Sequence, residues 1–93
     1  MPEYIEWRDL RFRKYFDHPC WDADVGEHFT LSVTSGSLGW GAYISTHRHT
    51  LMSSKGHFDT PQEALDSLAA ELRPLVDALQ RVTGVPGFII TGA

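Results

Sequence analysis

Residues 59–84, DTPQEALDSLAAELRPLVDALQRVTG, decide the fold class because they carry the most complete helical signal in the chain. Thr60 is followed by Pro61 and, three residues after the threonine, by Glu63. This order is typical of an N-cap with a capping box and a proline in the first turn. We therefore predict one helix that begins at Pro61 and is ended by Gly84.

Apolar residues recur along this segment at helical spacing and form one stripe, as in a helix that packs on a core. Pro74 falls opposite the stripe, on the side that should face solvent. We predict a single helix that is kinked near Pro74 and whose stripe covers one face of a sheet. The stripe consists of Leu65, Leu68, Ala69, Leu72, Leu75, Val76, Leu79 and Val82.

Alternation of apolar and polar residues upstream of the helix predicts three strands. The strands, with the residues that should point inward, are 9–16 (Leu10, Phe12, Phe16), 28–35 (Phe29, Leu31, Val33) and 40–47 (Trp40, Ala42, Ile44). Because the segment 35–39 is short, residues 28–49 should form a hairpin. On the third strand, Tyr43, His47 and His49 should share the solvated face.

The remaining segments are less regular. Residues 17–27 contain Pro19 and Gly26 and are predicted to form a loop. Residues 50–57 fit either a strand or a turn. The apolar segment 87–91 predicts a closing strand.

Together these elements predict a single α+β domain over residues 1–93. Its sheet should be antiparallel, with about four strands in the order β–β–β–α–β and the long amphipathic helix packed on one face. A chain of 93 residues has room for one modest core.

Composition limits the classes of function. The net charge of −4 disfavours a protein that neutralises nucleic-acid phosphates. With Cys20 as the one cysteine, no internal disulfide can form. The N-terminal residues resemble no signal peptide, and no apolar run is long enough to cross a bilayer. We expect a cytoplasmic protein that does not enter a membrane.

The part of the chain from residue 28 to residue 91 is similar to a known family. A hairpin, then HFDTPQEALDSLAAEL at 57–72 and a closing apolar strand, resembles the N-terminal domain of HicB-like antitoxins over residues 28–91. The resemblance implies a reduced ribonuclease-H-like fold. It also implies a function in which the domain binds and blocks a partner protein.

A metal site is one alternative function. His47 and His49 are two residues apart on a predicted strand, which places their Cα atoms about 7 Å apart on the same face. His18 and Cys20 have the same spacing, and together the four side chains suit zinc. A His/Cys metal-binding protein or small metalloenzyme is therefore an alternative. Because the spacing matches no established zinc signature, we expect no metal and no cofactor.

Two further functions, catalysis at Cys20 and nucleic-acid binding at residues 7–16, find less support in the sequence. No nucleophile elbow or glycine-rich oxyanion loop surrounds Cys20, so we expect a small apolar role for it and no enzymatic activity. The segment WRDLRFRKYF at 7–16 interleaves basic and aromatic residues, as in proteins that stack nucleic-acid bases. Nucleic-acid binding through Arg8, Arg11, Arg13 and Lys14 is a second alternative, disfavoured by the acidic remainder of the chain.

The leading hypothesis is a small non-enzymatic module that binds a protein partner. Basic residues on the first strand and acidic residues in 17–27 would give a dipolar surface, and exposed aromatic residues would supply anchors. An inhibitor or antitoxin-like protein of bacterial or phage origin, for example an inhibitor of a host defence system, suits this character. Homodimerisation through an edge strand is a further expectation. The predicted contact residues are Trp7, Arg11, Arg13, Tyr15, Trp21, Asp22, Asp24, Tyr43, His47 and His49.

Overall fold

The structure is a computed structural model that describes residues 3–83, and over these residues it consists of a six-stranded antiparallel sheet and one helix. The strands lie in the sheet in chain order, each paired with the next. They are β1 (Tyr4–Trp7), β2 (Leu10–Lys14), β3 (Cys20–Val25), β4 (Phe29–Gly36), β5 (Gly39–Ser45) and β6 (Thr50–Ser53), followed by the helix α1 (Pro61–Thr83). The α+β class is confirmed, but the sheet has six strands where about four were predicted.

The prediction of a loop over residues 17–27 was wrong, because most of this segment forms β3. Trp21 and Ala23 point inward and are buried, whereas Asp22 and Asp24 lie on the opposite face. Pro19 precedes the strand, where its missing N–H costs no ladder hydrogen bond. The acidic residues thus reflect a half-solvated strand with period-two alternation.

The first predicted strand is shorter than expected and has an additional neighbour. β1 was not predicted, and it pairs with β2 from Tyr4 opposite Arg13 to Trp7 opposite Leu10. β2 ends at Lys14, so Phe16 is not an inward-facing strand residue. It lies in the following turn with φ of 51° and is 77% exposed.

The hairpin predicted over 28–49 is confirmed as β4 and β5, and all six of its predicted inward-facing residues lie on the core side. His47 and His49, however, lie outside β5. They are exposed in the connection to β6, where the Thr46 side chain accepts hydrogen bonds from the backbone N–H groups of Arg48 and His49. The threonine therefore ends the strand before the histidines. Residues 50–53 form the strand β6.

The helix begins as predicted. The backbone N–H of Glu63 donates to the Thr60 hydroxyl at 3.2 Å, which is the expected N-cap bond. The helix continues through the exposed Pro74. Gly84 and the predicted strand 87–91 lie outside the described residues.

The apolar stripe of α1 is buried at Leu65, Leu68, Leu72 and Val76, but Leu75 is exposed and Val82 is 83% exposed. A helix of 23 residues is about 34 Å long at 1.5 Å per residue. That length exceeds both the longest described strand and the width of six strands spaced about 4.8 Å apart. The prediction that the whole stripe faces the sheet was therefore wrong at its C-terminal end.

The sheet curls around the helix, since β1 at one edge and β6 at the other both contact α1. At the β1 edge, the indole N–H of Trp7 donates to Asp66 Oδ1 at 2.9 Å. Next to it, the side-chain amide of Gln62 donates to the Glu6 carbonyl at 3.1 Å. These bonds hold the N-terminal half of the helix against the first strand. The largest fully buried side chains, from the sheet and from the helix, are Trp21, Phe12, Leu31, Leu65, Leu68 and Val33.

Candidate functional site: the outer face of the sheet

The side of the sheet opposite α1, called the outer face below, is not covered by any element of residues 3–83. Strand register sets its composition, because directly paired residues point to the same side. One row of cross-strand neighbours crosses all six strands. It consists of Tyr4, Arg13, Asp22, Ser32, Tyr43 and Ser53. The sequence predicted this face to be solvated, and five of the predicted contact residues lie on it: Arg11, Arg13, Asp22, Asp24 and Tyr43.

The charges of the outer face are only partly paired. Arg11 forms an ion pair with Glu6 at 3.1 Å, and its guanidinium carbon lies 5.3 Å from the centre of the Tyr4 ring. Within residues 3–83 the other ion pair joins Arg73 to Asp77 on the helix. Arg13 and the two aspartates of β3 thus form no ion pair, although Arg13 lies directly opposite Asp22. Among the described residues, these three charges are therefore not neutralised by a partner of opposite sign.

A cleft separates β2 from β3 on this side. The two strands are in register at Arg13 opposite Asp22 and at Lys14 opposite Trp21, next to the turn that joins them. Further from the turn they diverge and leave a cleft of about 380 Å³. Its lining includes Arg11, Arg13, Tyr15, Asp22 and Asp24. The cleft therefore places basic groups on one wall and acidic groups on the other.

Cys20, Asp22 and Tyr43 form a small polar cluster beside the cleft. The Cys20 thiol donates to Asp22 Oδ1 at 3.4 Å, and its sulfur is 3.8 Å from the Tyr43 hydroxyl. Burial raises the pKa of the Cys20 thiol; the hydrogen bond with Tyr43 opposes this shift, and the Asp22 carboxylate adds to it. Burial also raises the pKa of Tyr43, against a hydrogen bond with Ser32. Both groups are therefore protonated at neutral pH, which makes Cys20 a poor nucleophile.

The four side chains considered for zinc do not meet. Cys20 is aligned through Thr34 with Gly41 in β5. His47 lies beyond Ser45, which is four residues further along that strand, or about 13 Å at 3.3 Å per residue. Among residues 3–83, no three His, Cys, Asp or Glu side chains come together as a metal site. The zinc site of His18, Cys20, His47 and His49 is therefore wrong.

Two of the predicted contact residues are not on the surface at all. Trp7 and Trp21 were expected to be exposed anchors, but both are buried, Trp21 completely. The Trp21 ring packs against Trp40 with centroids 5.2 Å apart. Tyr15 is exposed as predicted and lies in the turn between β2 and β3. Sequence reasoning missed Tyr4 as a member of the outer face, although the alternation of exposed and buried residues along β1 was the signal that could have found it.

The arginines of β2 do not form an isolated basic patch. Arg11 is neutralised by Glu6, and Arg13 shares the outer face with Asp22 and Asp24. The negative charges of the aspartates lower the positive potential around the arginines. The outer face therefore attracts phosphates only weakly. The face is therefore dipolar instead of basic.

Comparison with known proteins gives no match, whether by family models, by curated protein sequences or by solved structures. Within residues 3–83, α1 lacks the apolar length that a bilayer-spanning helix needs. The geometry of the outer face is therefore the main structural indication of function.

Proposed function

We propose that the protein is a non-enzymatic module that binds a partner protein through the outer face of its sheet. The observation that carries the proposal is the set of charges of opposite sign, Arg13 on β2 and Asp22 and Asp24 on β3, that flank a cleft and form no ion pair with each other. Charges arranged in this way orient a partner of complementary charge pattern and exclude partners of the wrong pattern.

Aromatic groups support the same proposal. Tyr4, Tyr15 and Tyr43 lie on or beside the outer face, and tyrosine contributes large contact area with a polar end that tolerates both water and a partner. A sheet face that is stiffened by strand pairing also loses little conformational entropy when it binds, which favours affinity.

The HicB-like resemblance and the character of the chain favour a particular kind of module. We propose an inhibitor or antitoxin-like protein of bacterial or phage origin that acts in the cytoplasm, with inhibition of a host defence system as one version. Homodimerisation through an edge strand, β1 or β6, would leave the outer face as residues 3–83 present it. The identity of the partner tests these proposals directly.

The experiment begins with affinity capture from lysate of the source cells and identification of the captured protein by mass spectrometry. The partner is then purified, and its affinity for the protein is measured by isothermal titration calorimetry. The informative variant is Arg13→Glu combined with Asp24→Lys, which reverses the dipole of the cleft at constant net charge. We expect the Kd to rise by about tenfold or more, as for charges at the centre of an interface.

The helix offers a matched control. Arg73→Glu combined with Asp77→Lys exchanges the same kinds of charge on the exposed side of α1 and keeps an i,i+4 ion pair. This control should bind with the affinity of the wild type. Equal affinity of the two double variants would contradict the proposal, and so would a wild-type protein that captures no partner.

A further inference from the structure

We infer that the end of the sheet formed by the β2–β3 turn, residues 15–19, is the apolar anchor of this interaction, and that Phe16 enters an apolar recess on the partner protein. This inference rests on the proposed function and names the chemistry of the partner's contact site. It is carried by the conformation and exposure of Phe16 and by the neighbouring turn.

The turn holds its aromatic residues in a defined arrangement. Three backbone hydrogen bonds close it, from Tyr15 N–H to the Cys20 carbonyl at 2.8 Å, from His18 N–H to the Tyr15 carbonyl at 3.0 Å and from Cys20 N–H to the His18 carbonyl at 2.7 Å. The Tyr15 ring contacts Phe16 edge to face with centroids 4.7 Å apart, and it stacks on His18 at 5.9 Å. The turn thus presents a packed aromatic surface whose backbone is already ordered.

The contribution of Phe16 to the fold does not explain why a bulky apolar residue lies in the β2–β3 turn. Its φ of 51° lies in the left-handed region, which glycine and asparagine adopt more readily than a bulky residue. Its side chain is 77% exposed, so burial does not compensate for this conformation. A bulky apolar side chain held in an unfavourable conformation at the surface points to a use outside the fold.

The turn between β4 and β5 lies at the same end of the sheet and adds a second apolar group. Cys20 pairs with Thr34, and the Pro19 carbonyl accepts a hydrogen bond from Ser35 N–H at 3.0 Å, so the two turns are adjacent. Leu38, in the second turn, is 75% exposed. The same end of the sheet therefore exposes a leucine beside the aromatic turn.

The size of this apolar surface indicates an anchor within a larger interface. Tyr15, Phe16 and Leu38 are 51%, 77% and 75% exposed. Because a large apolar side chain offers roughly 150–250 Å², together they expose about 400 Å². Each partner in a standard interface contributes about 800 Å². Tyr15 also lines the cleft on the outer face, so the aromatic turn and the dipolar cleft form one continuous surface.

A separate protein fits this surface better than the other candidates. Within residues 3–83, a recess that a second copy of the chain could offer is the cleft between β2 and β3, but charged side chains line most of that cleft. A membrane fits less well, because the net charge is −4 and Asp17 lies in the turn itself. An apolar recess on another protein matches the exposed ring without placing a charge against it.

The test replaces Phe16 by asparagine, which accepts the left-handed conformation and removes the ring. Calorimetry with the purified partner should show a Kd raised by about thirtyfold or more, the usual loss when an aromatic anchor is removed. The midpoint of thermal unfolding should stay the same or rise, because strain is relieved. Val82→Asn, at another exposed apolar position, is the matched control and should bind like the wild type.

The outcomes separate this inference from the proposed function. If Phe16→Asn binds as tightly as the wild type while Arg13→Glu with Asp24→Lys does not, the proposed function stands and the anchor is overturned. A lower unfolding midpoint for Phe16→Asn would assign the ring to the fold and overturn the anchor as well. So would Phe16-dependent flotation with phosphatidylcholine or phosphatidylserine vesicles, or Phe16-dependent dimerisation in analytical ultracentrifugation.

Discussion

Removal of the Trp21 side chain should destabilise the protein strongly, because the strand that carries it is a central part of the core. The side chain is completely buried, faces Val33 across the β3–β4 pair and packs against Trp40. Truncation of a buried aromatic residue to alanine costs about 3–5 kcal/mol. A domain of 93 residues has a free energy of unfolding of about 5–14 kcal/mol, so Trp21→Ala should remove about a quarter or more of that stability and nearly all of it at the lower end of the range.

The milder substitution Trp21→Phe makes the effect measurable. It should cost about 1–2 kcal/mol through the smaller cavity it leaves. In urea unfolding followed by far-ultraviolet circular dichroism, this loss lowers the midpoint by about 1–2 M at a slope of about 1 kcal/mol per molar. The exposed Tyr15 provides the control, since Tyr15→Ala should change stability by no more than about 0.5 kcal/mol. If Trp21→Ala were no more destabilising than Tyr15→Ala, residues 20–25 would not be a core strand and the fold would be wrong.

Further perturbations test three separate parts of the structure: the Cys20 thiol, the turn at Gly39 and the N-cap at Thr60. The Cys20 thiol should react with iodoacetamide at pH 8 more slowly than a free thiol, and Asp22→Asn should accelerate the reaction because it removes a group that raises the thiol pKa. The stability of the protein should also fall as the pH rises above the ordinary thiol value of 9.0, since the unfolded state releases that proton first. Gly39→Ala should cost about 2 kcal/mol or more in thermal unfolding, because Gly39 has φ of 127° and a Cβ there would lie 2.6 Å from a backbone oxygen. Gly26→Ala, which meets no atom within 4 Å, should cost about half as much. Thr60→Ala should lower stability by about 1 kcal/mol through loss of the N-cap bond, whereas Thr60→Ser should retain it.

The sequence predicts the helix and the β4–β5 hairpin well because their signals are local. The N-cap at Thr60 depends on residues three apart, and the hairpin depends on alternation on both sides of a short turn. The position of Phe16 could not be predicted in the same way. β2 ends where the backbone hydrogen bonds of the turn over residues 15–20 begin. The alternation of apolar and polar residues carries no information about those bonds.

The strand β3 shows how a correct pattern can be misinterpreted. Trp21, Ala23 and Val25 alternate with Asp22 and Asp24, but the acidic residues and the nearby Pro19 favoured a loop. Tertiary pairing with β4 along the whole of β3 overrides that preference. For the same reason the sequence placed Trp21 on the surface, whereas Asp22 and Asp24, which it also named as contact residues, do lie on the outer face.

The candidate site was predicted in its residue types more than in its arrangement. Arg11, Arg13 and Tyr43 were correctly placed on the solvated face, since side-chain direction follows from strand alternation. The cleft arises where β2 and β3 diverge, and the zinc hypothesis failed because Cys20 and His47 lie at different ends of the sheet. Both facts depend on strand order and register, which are properties of the folded sheet.

The most direct test of the outer face as a binding surface is the affinity of the purified partner for Arg13→Glu combined with Asp24→Lys, measured against Arg73→Glu combined with Asp77→Lys. Both variants keep the net charge of the protein, so a difference between them reports the location of the charges. The outer-face variant should bind at least about tenfold more weakly than the helix variant, which should match the wild type. Affinities within twofold of each other would contradict binding through this face.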